Sequence, residues 1–115
     1  MQSLTVDLLI SINRLVGEKG TVVNPGNLDY LTSTISKITD PIEAASSLLF
    51  EIITLRPFLD GNKRTAVVAA ESYPKLFRID ADISYDAFEK LVYKIAIGKC
   101  TKKEVEKTIR SKAKK

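Results

Sequence analysis

The 115-residue sequence has no histidine, so no imidazole is present to act as a general base. Its single cysteine, Cys100, excludes an intramolecular disulfide. No apolar run approaches the ~20 residues that a membrane span needs, and the N-terminus lacks the basic region and long apolar run of a signal peptide. These absences predict a soluble, intracellular, cytoplasmic protein with no membrane partner. Internal repeats and low-complexity segments are missing as well, and no stretch alternates apolar and polar residues long enough to demand a sheet. What is present is 44% hydrophobic content, enough for one core of ordinary size and leaving no room for a second. The expectation is a single domain over residues 1–115.

The formal net charge of +4 is unevenly placed. From Lys99 to Lys115 there are eight basic residues (Lys99, Lys102, Lys103, Lys107, Arg110, Lys112, Lys114 and Lys115) against Glu104 and Glu106, whereas residues 1–98 carry ten basic and twelve acidic side chains. A basic tail at 99–115 can steer a protein towards nucleic acid. This one has no interleaved aromatics on which bases could stack, so a solvated helix end is the favoured reading and nucleic acid is disfavoured as a partner.

Apolar spacing divides the chain into about six helices, an all-α fold. Leu8, Leu9, Ile12, Leu15 and Val16 recur at helical spacing after Thr5 and Asp7, with Gly17 as the stop. After a loop holding Gly20, Pro25 and Gly26, Asn27 is read as the cap of a second helix whose face is Leu28, Leu31, Ile35 and Ile38. Asp40-Pro41-Ile42-Glu43 carries a capping residue, a proline at the first helical position and a glutamate three residues on. It starts a third helix with the stripe Ala45, Leu48, Leu49, Ile52 and Ile53. Glu43 and Glu51, two turns apart, are read as solvated. The helix must end near Arg56, because a residue before proline avoids helical geometry. A fourth helix is expected from Lys63 to about Tyr73, where Pro74 ends or kinks it; its Ala66, Ala69 and Ala70 suit the central helix of a bundle. Arg78 to Ile83 reads as irregular. Ser84 caps a fifth helix with Phe88, Leu91, Val92 and Ile95, closed by Gly98, and Thr101-Lys102-Lys103-Glu104 is a capping box that begins a sixth with Val105 and Ile109.

Between the third and fourth helices lies Arg56-Pro57-Phe58-Leu59-Asp60-Gly61-Asn62-Lys63-Arg64-Thr65-Ala66. Asn62 suits a helix cap, Gly61 allows close approach of the backbone to a ligand, and the free N–H groups and positive dipole end of the following helix face the loop. Lys63 and Arg64 add full charges. Asp60 suits a hard cation such as Mg²⁺, which binds through one or two carboxylates plus substrate phosphates. A phosphorylated ligand with a metal is one reading; a plain turn and cap with solvated cations is the other, and the residues alone are compatible with both. Phe58 is expected to plug into the core.

Pro57 through Ala66 resembles the active-site motif of the Fic/Doc (Fido) family, and Lys63 resembles the Doc, or death-on-curing toxin, branch. Gly26-Asn27-Leu28-Asp29-Tyr30-Leu31 is also similar to the family's glycine- and leucine-rich segment, with Asn24-Pro25 in place of the usual Arg-Asp pair. The resemblance implies a small helical bundle whose central helix starts at the motif. It implies that Asp60 coordinates Mg²⁺ and that Gly61 and Asn62 hold phosphate oxygens of ATP. Lys63 would shape a Doc-type phosphate pocket and Arg64 would neutralise the terminal phosphates. It further implies transfer of AMP or phosphate to a hydroxyl of a protein acceptor such as a translation factor. An antitoxin protein would be a further partner, since the family's self-inhibitory helix has no match in this sequence.

The family motif opens with a histidine that deprotonates the acceptor hydroxyl, and this chain has Arg56 there. A guanidinium stays protonated and cannot accept a proton. Loss of such a base forfeits on the order of 10²–10⁴-fold in rate. The sequence thus supports three functions: a Doc-type transferase that is slow or uses Asp60 or water as base, a catalytically silent relative that binds a nucleotide or a protein, and, well behind, a nucleic-acid module built on the basic tail.

Overall fold

Six helices form where apolar spacing and capping residues coincide: α1 Val6–Leu15, α2 Pro25–Ser36, α3 Pro41–Leu55, α4 Asn62–Lys75, α5 Tyr85–Ala96 and α6 Lys102–Lys112. The structure is a computed structural model describing residues 4–80 and 84–113. The end of the expected irregular stretch, Ala81 to Ile83, and the terminal Lys114 and Lys115 lie outside the described residues. No strand longer than a single bridge residue forms among the described residues, where Val22 and Phe58 make an isolated antiparallel bridge, and the fold is all-α as expected.

Most helix ends are set by side chains next to them in sequence. Thr5, Ser84 and Thr101 accept the N–H groups of Leu8, Ala87 and Glu104, at 3.1, 3.2 and 3.2 Å. Glu104 returns a bond to the Thr101 N–H and completes the capping box, and this bond holds its carboxyl below the usual range. Asp40 accepts the Ile42 N–H at 3.0 Å, with Pro41 at the first helical position.

Helix boundaries and some burial assignments differ from expectation. Helix α2 starts at Pro25 with Asn24 as its cap residue, not at Asn27. Proline fits there because the first helical N–H has no intrahelical partner to lose, and this frees the Asn27 amide to donate to the Leu55 carbonyl at 2.9 Å. Helix α4 begins at Asn62 and passes through Pro74 to Lys75 before the chain tightens into turn bonds from Leu76, Phe77 and Arg78. Glu51 is not solvated. It is 7% exposed, because α6 covers that side of α3, and one carboxylate oxygen meets Lys102 Nζ at 3.3 Å while the other has no hydrogen-bond partner. Glu43 is exposed as expected.

Helix α3 contacts α2, α4, α5 and α6, and its packing against α4 is the most extensive in the molecule. Ala66, Ala69 and Ala70 are buried on α4, and their small side chains let the two axes approach. Apolar residues of all six helices and Phe58 form one contiguous core. At the edge, α1 packs chiefly against α4 and α2, and its buried stripe narrows to Leu9, Ile12 and Asn13. Leu8 and Leu15, expected in the stripe, are exposed instead.

The α3–α6 contact has two electrostatic ties. Burial alone would raise the Asp40 carboxyl, but the Arg110 hydrogen bond and the Ile42 N–H outweigh it and hold the group below its ordinary 3.8. A lowered folded value means that this stabilisation is present above the unfolded value and fades as pH falls through the folded one. Arg110→Met should therefore shrink the loss of melting temperature between about pH 6 and about pH 3, read by thermal melts. At the second tie, Lys102→Met leaves the Glu51 carboxylate buried without a partner. It should cost about 1–3 kcal/mol in urea unfolding, most of it recovered in the double variant with Glu51→Gln.

Candidate functional site

The turn from α3 to α4 begins where Pro57 bars Arg56 from extending the helix. Arg56 caps α3 in the left-handed region at φ 47°. Its carbonyl accepts from the Asn24 amide at 2.8 Å, beside the Asn27 bond to Leu55, so two side chains from the start of α2 cover the C-terminus of α3. Residues 21–24 then run alongside the turn: Val23 N–H donates to the Pro57 carbonyl and Leu59 N–H to the Thr21 carbonyl, each at 2.9 Å. Phe58, 1% exposed, is inserted in the core as the sequence suggested.

Asn62 closes the turn from the α4 side. Its Oδ1 accepts the Phe58 N–H at 3.0 Å and its Nδ2 donates to the Phe58 carbonyl at 2.9 Å. Contrary to the sequence expectation, the side chain does not cap α4; the cap position is Gly61, which has no side chain to do so. Gly61 has φ 73°, and a Cβ there would stand 2.5 Å from Glu18 Cγ and 3.3 Å from Asn13 Nδ2. Any other residue would be strained and would collide with the α1–α2 loop.

A cavity of about 780 Å³ opens over this turn, within the ~300–1,000 Å³ range of small-molecule sites. Arg56, Asp60, Gly61, Asn62, Lys63 and Arg64 all line it, facing a wall of Ile53, Thr54, Ile95, Ala96 and Gly98. Every residue singled out from the motif is therefore brought to one place. The N–H groups of Asn62, Lys63 and Arg64 have no intrahelical partner, because the first bond of α4 runs from Thr65 N–H to the Gly61 carbonyl.

The charged side chains divide into two sets. Among the described residues no ion pair or hydrogen bond engages the side chains of Arg56, Asp60 or Lys63, and all three are exposed. Arg64 is engaged: Nη1 donates to the Val16 carbonyl at 2.7 Å and Nη2 pairs with Glu18. With three cations, one carboxylate and the start of α4, the cavity suits a polyanion. Among the described residues Asp60 is its one carboxylate.

The Fic/DOC family model matches residues 12–73. The chain belongs to the Fic/DOC family. No curated protein matches it. The matched span runs from the last turn of α1 to Tyr73, two residues short of the end of α4, so the motif turn and the α1–α2 loop lie inside, while the wall supplied by α5 lies outside.

Asn13 is the residue that sequence reasoning missed. It is 1% exposed and hydrogen-bonds to Asp60, Thr65 and Gly20. Its signal was a polar residue four positions after Leu9 and next to Ile12, inside the buried stripe of α1. The clamp at Asn62 is directly testable. Asn62→Ala removes both bonds to Phe58 and leaves buried backbone groups unpaired, so a loss of about 1–3 kcal/mol is expected in chemical denaturation; unchanged stability would mean the turn is held some other way.

Proposed function

We propose that this cavity is the nucleotide site of a Doc-like transferase, taking ATP with Mg²⁺ and passing phosphate or AMP to a protein hydroxyl, slowly because Arg56 replaces the motif histidine. The convergence of Arg56, Asp60, Gly61, Asn62, Lys63 and Arg64 on one cavity carries this reading. Asp60 fits a Mg²⁺ ligand, being exposed and, among the described residues, unpaired and the only carboxylate lining the cavity. Mg²⁺ held there would neutralise charge on the phosphates. Gly61 would let the backbone approach the phosphates, and the Asn62 N–H would donate to a phosphate oxygen, its side chain being committed to Phe58. Lys63 would hold a phosphate as a point charge and Arg64 would face the terminal phosphates once released from Glu18.

In the transfer the acceptor oxygen forms a bond to phosphorus, the bond to the departing phosphate group breaks, and the hydroxyl proton must go to Asp60 or water. Phosphoryl transfer depends chiefly on positioning and electrostatics, so the chemistry survives without a dedicated base at reduced rate, and Arg56 adds charge stabilisation. A protein acceptor of the translation-factor class and a separate antitoxin chain accompany this reading as its partners.

A second reading, a catalytically silent member that binds nucleotide or protein, is favoured by one observation: Arg64 is already bonded to Glu18 and Val16. Incubation with ATP labelled at the α or γ phosphate and candidate acceptor proteins separates the two. Arg56→His is expected to raise label transfer by on the order of 10²–10⁴-fold. Retained ATP binding with no transfer by either protein leaves the silent reading, and absence of ATP binding sinks the transferase together with the nucleotide-binding form of the silent reading.

A further inference from the structure

The motif turn on the cavity and the α1–α2 loop behind it, distant in sequence, meet on one buried amide. Asn13 Nδ2 donates to the Asp60 carbonyl at 2.9 Å and to Thr65 Oγ1 at 3.0 Å, and Oδ1 accepts the Gly20 N–H at 2.9 Å. Both donor hydrogens and the acceptor are in use. The backbone carbonyl of Asn13 also accepts the Glu18 N–H at 3.1 Å. One residue thus fixes the motif turn at Asp60, the first turn of α4 at Thr65, and the loop segment whose Glu18 grips Arg64.

A buried amide costs free energy unless it is fully paired, and an apolar residue would fill this place in α1 without that demand. What the amide adds is a fixed spacing between two charged side chains, Asp60 and Arg64, each attached to a segment it ties. We propose that Asn13 is a positioning residue of the cavity, setting the Asp60 carboxylate against the Arg64 guanidinium and thereby controlling the metal-dependent part of nucleoside triphosphate binding. This rests on the nucleotide reading of the cavity and adds to it a residue outside the motif.

Asn13→Asp isolates the donor arm. The variant is isosteric and still accepts from Gly20, but it loses the N–H given to Asp60 and sets an oxygen against that carbonyl. The full-length chain is titrated with ATP by calorimetry, with and without Mg²⁺, and the ratio of the two affinities is the readout. Partners that orient a metal ligand are worth roughly 10–100-fold in metal affinity, so Asn13→Asp should lose about tenfold or more of the gain from Mg²⁺ while metal-free ATP affinity stays within about threefold. Thr65→Val, which leaves the Asp60 tie in place, should keep the gain even if its melting temperature falls. If Asn13→Asp does not fold, Asn13→Ser, which adds no charge, reads the same ratio. Retention of the Mg²⁺ gain in the Asn13 variant, or an equal fall of both affinities, overturns the positioning role while the nucleotide reading stands. A wild-type chain that binds no ATP overturns both.

Discussion

The turn between α3 and α4 runs through irregular backbone against a core, and such backbone is stable only if its polar groups find partners. Four asparagine side chains meet that demand. Asn24 and Asn27 take the carbonyls of Arg56 and Leu55, Asn62 takes both polar groups of Phe58, and Asn13 takes the carbonyl of Asp60. An amide suits the task because it carries donors and an acceptor without a charge that would need its own neutralisation. With the turn held this way, Phe58 can lie in the core while Asp60 and Lys63, a few residues on, remain exposed. The charged rim of the cavity is thus a by-product of uncharged groups beneath it.

Much of this was legible in the sequence where the information is local. Thr5, Asp40, Ser84 and Thr101 cap the helices they precede, and the spacing of Leu48, Leu49, Ile52 and Ile53 marks the buried side of α3. Arg56 and Asp60 through Arg64 line one cavity, a proximity that follows from their being nearly consecutive. What could not be read depended on partners far along the chain. Asn13 lies 47 residues from Asp60 and Glu51 lies 51 from Lys102, and no pattern in either neighbourhood names the other. Asn24 and Asn27 are a different case: both are plausible caps, and Pro25 at the first helical position, correctly weighed, selects Asn24.

The turn lies inside the span that matches the Fic/DOC family, and in this chain a cation, Arg56, stands at its start. The cavity is rich in groups that hold negative charge and poor in groups that remove a proton. One of those cationic groups, the Arg64 guanidinium, is already paired with Glu18.

The amides of Asn24 and Asn27 have one more effect. Helices α3 and α4 meet at the turn with opposite electrical ends, the negative end of α3 and the positive end of α4, and two bare ends so close would partly cancel. Because N–H groups from α2 lie over the last carbonyls of α3, its negative pole is shielded. The positive pole of α4 therefore acts on the cavity almost undiminished, before any side chain is counted.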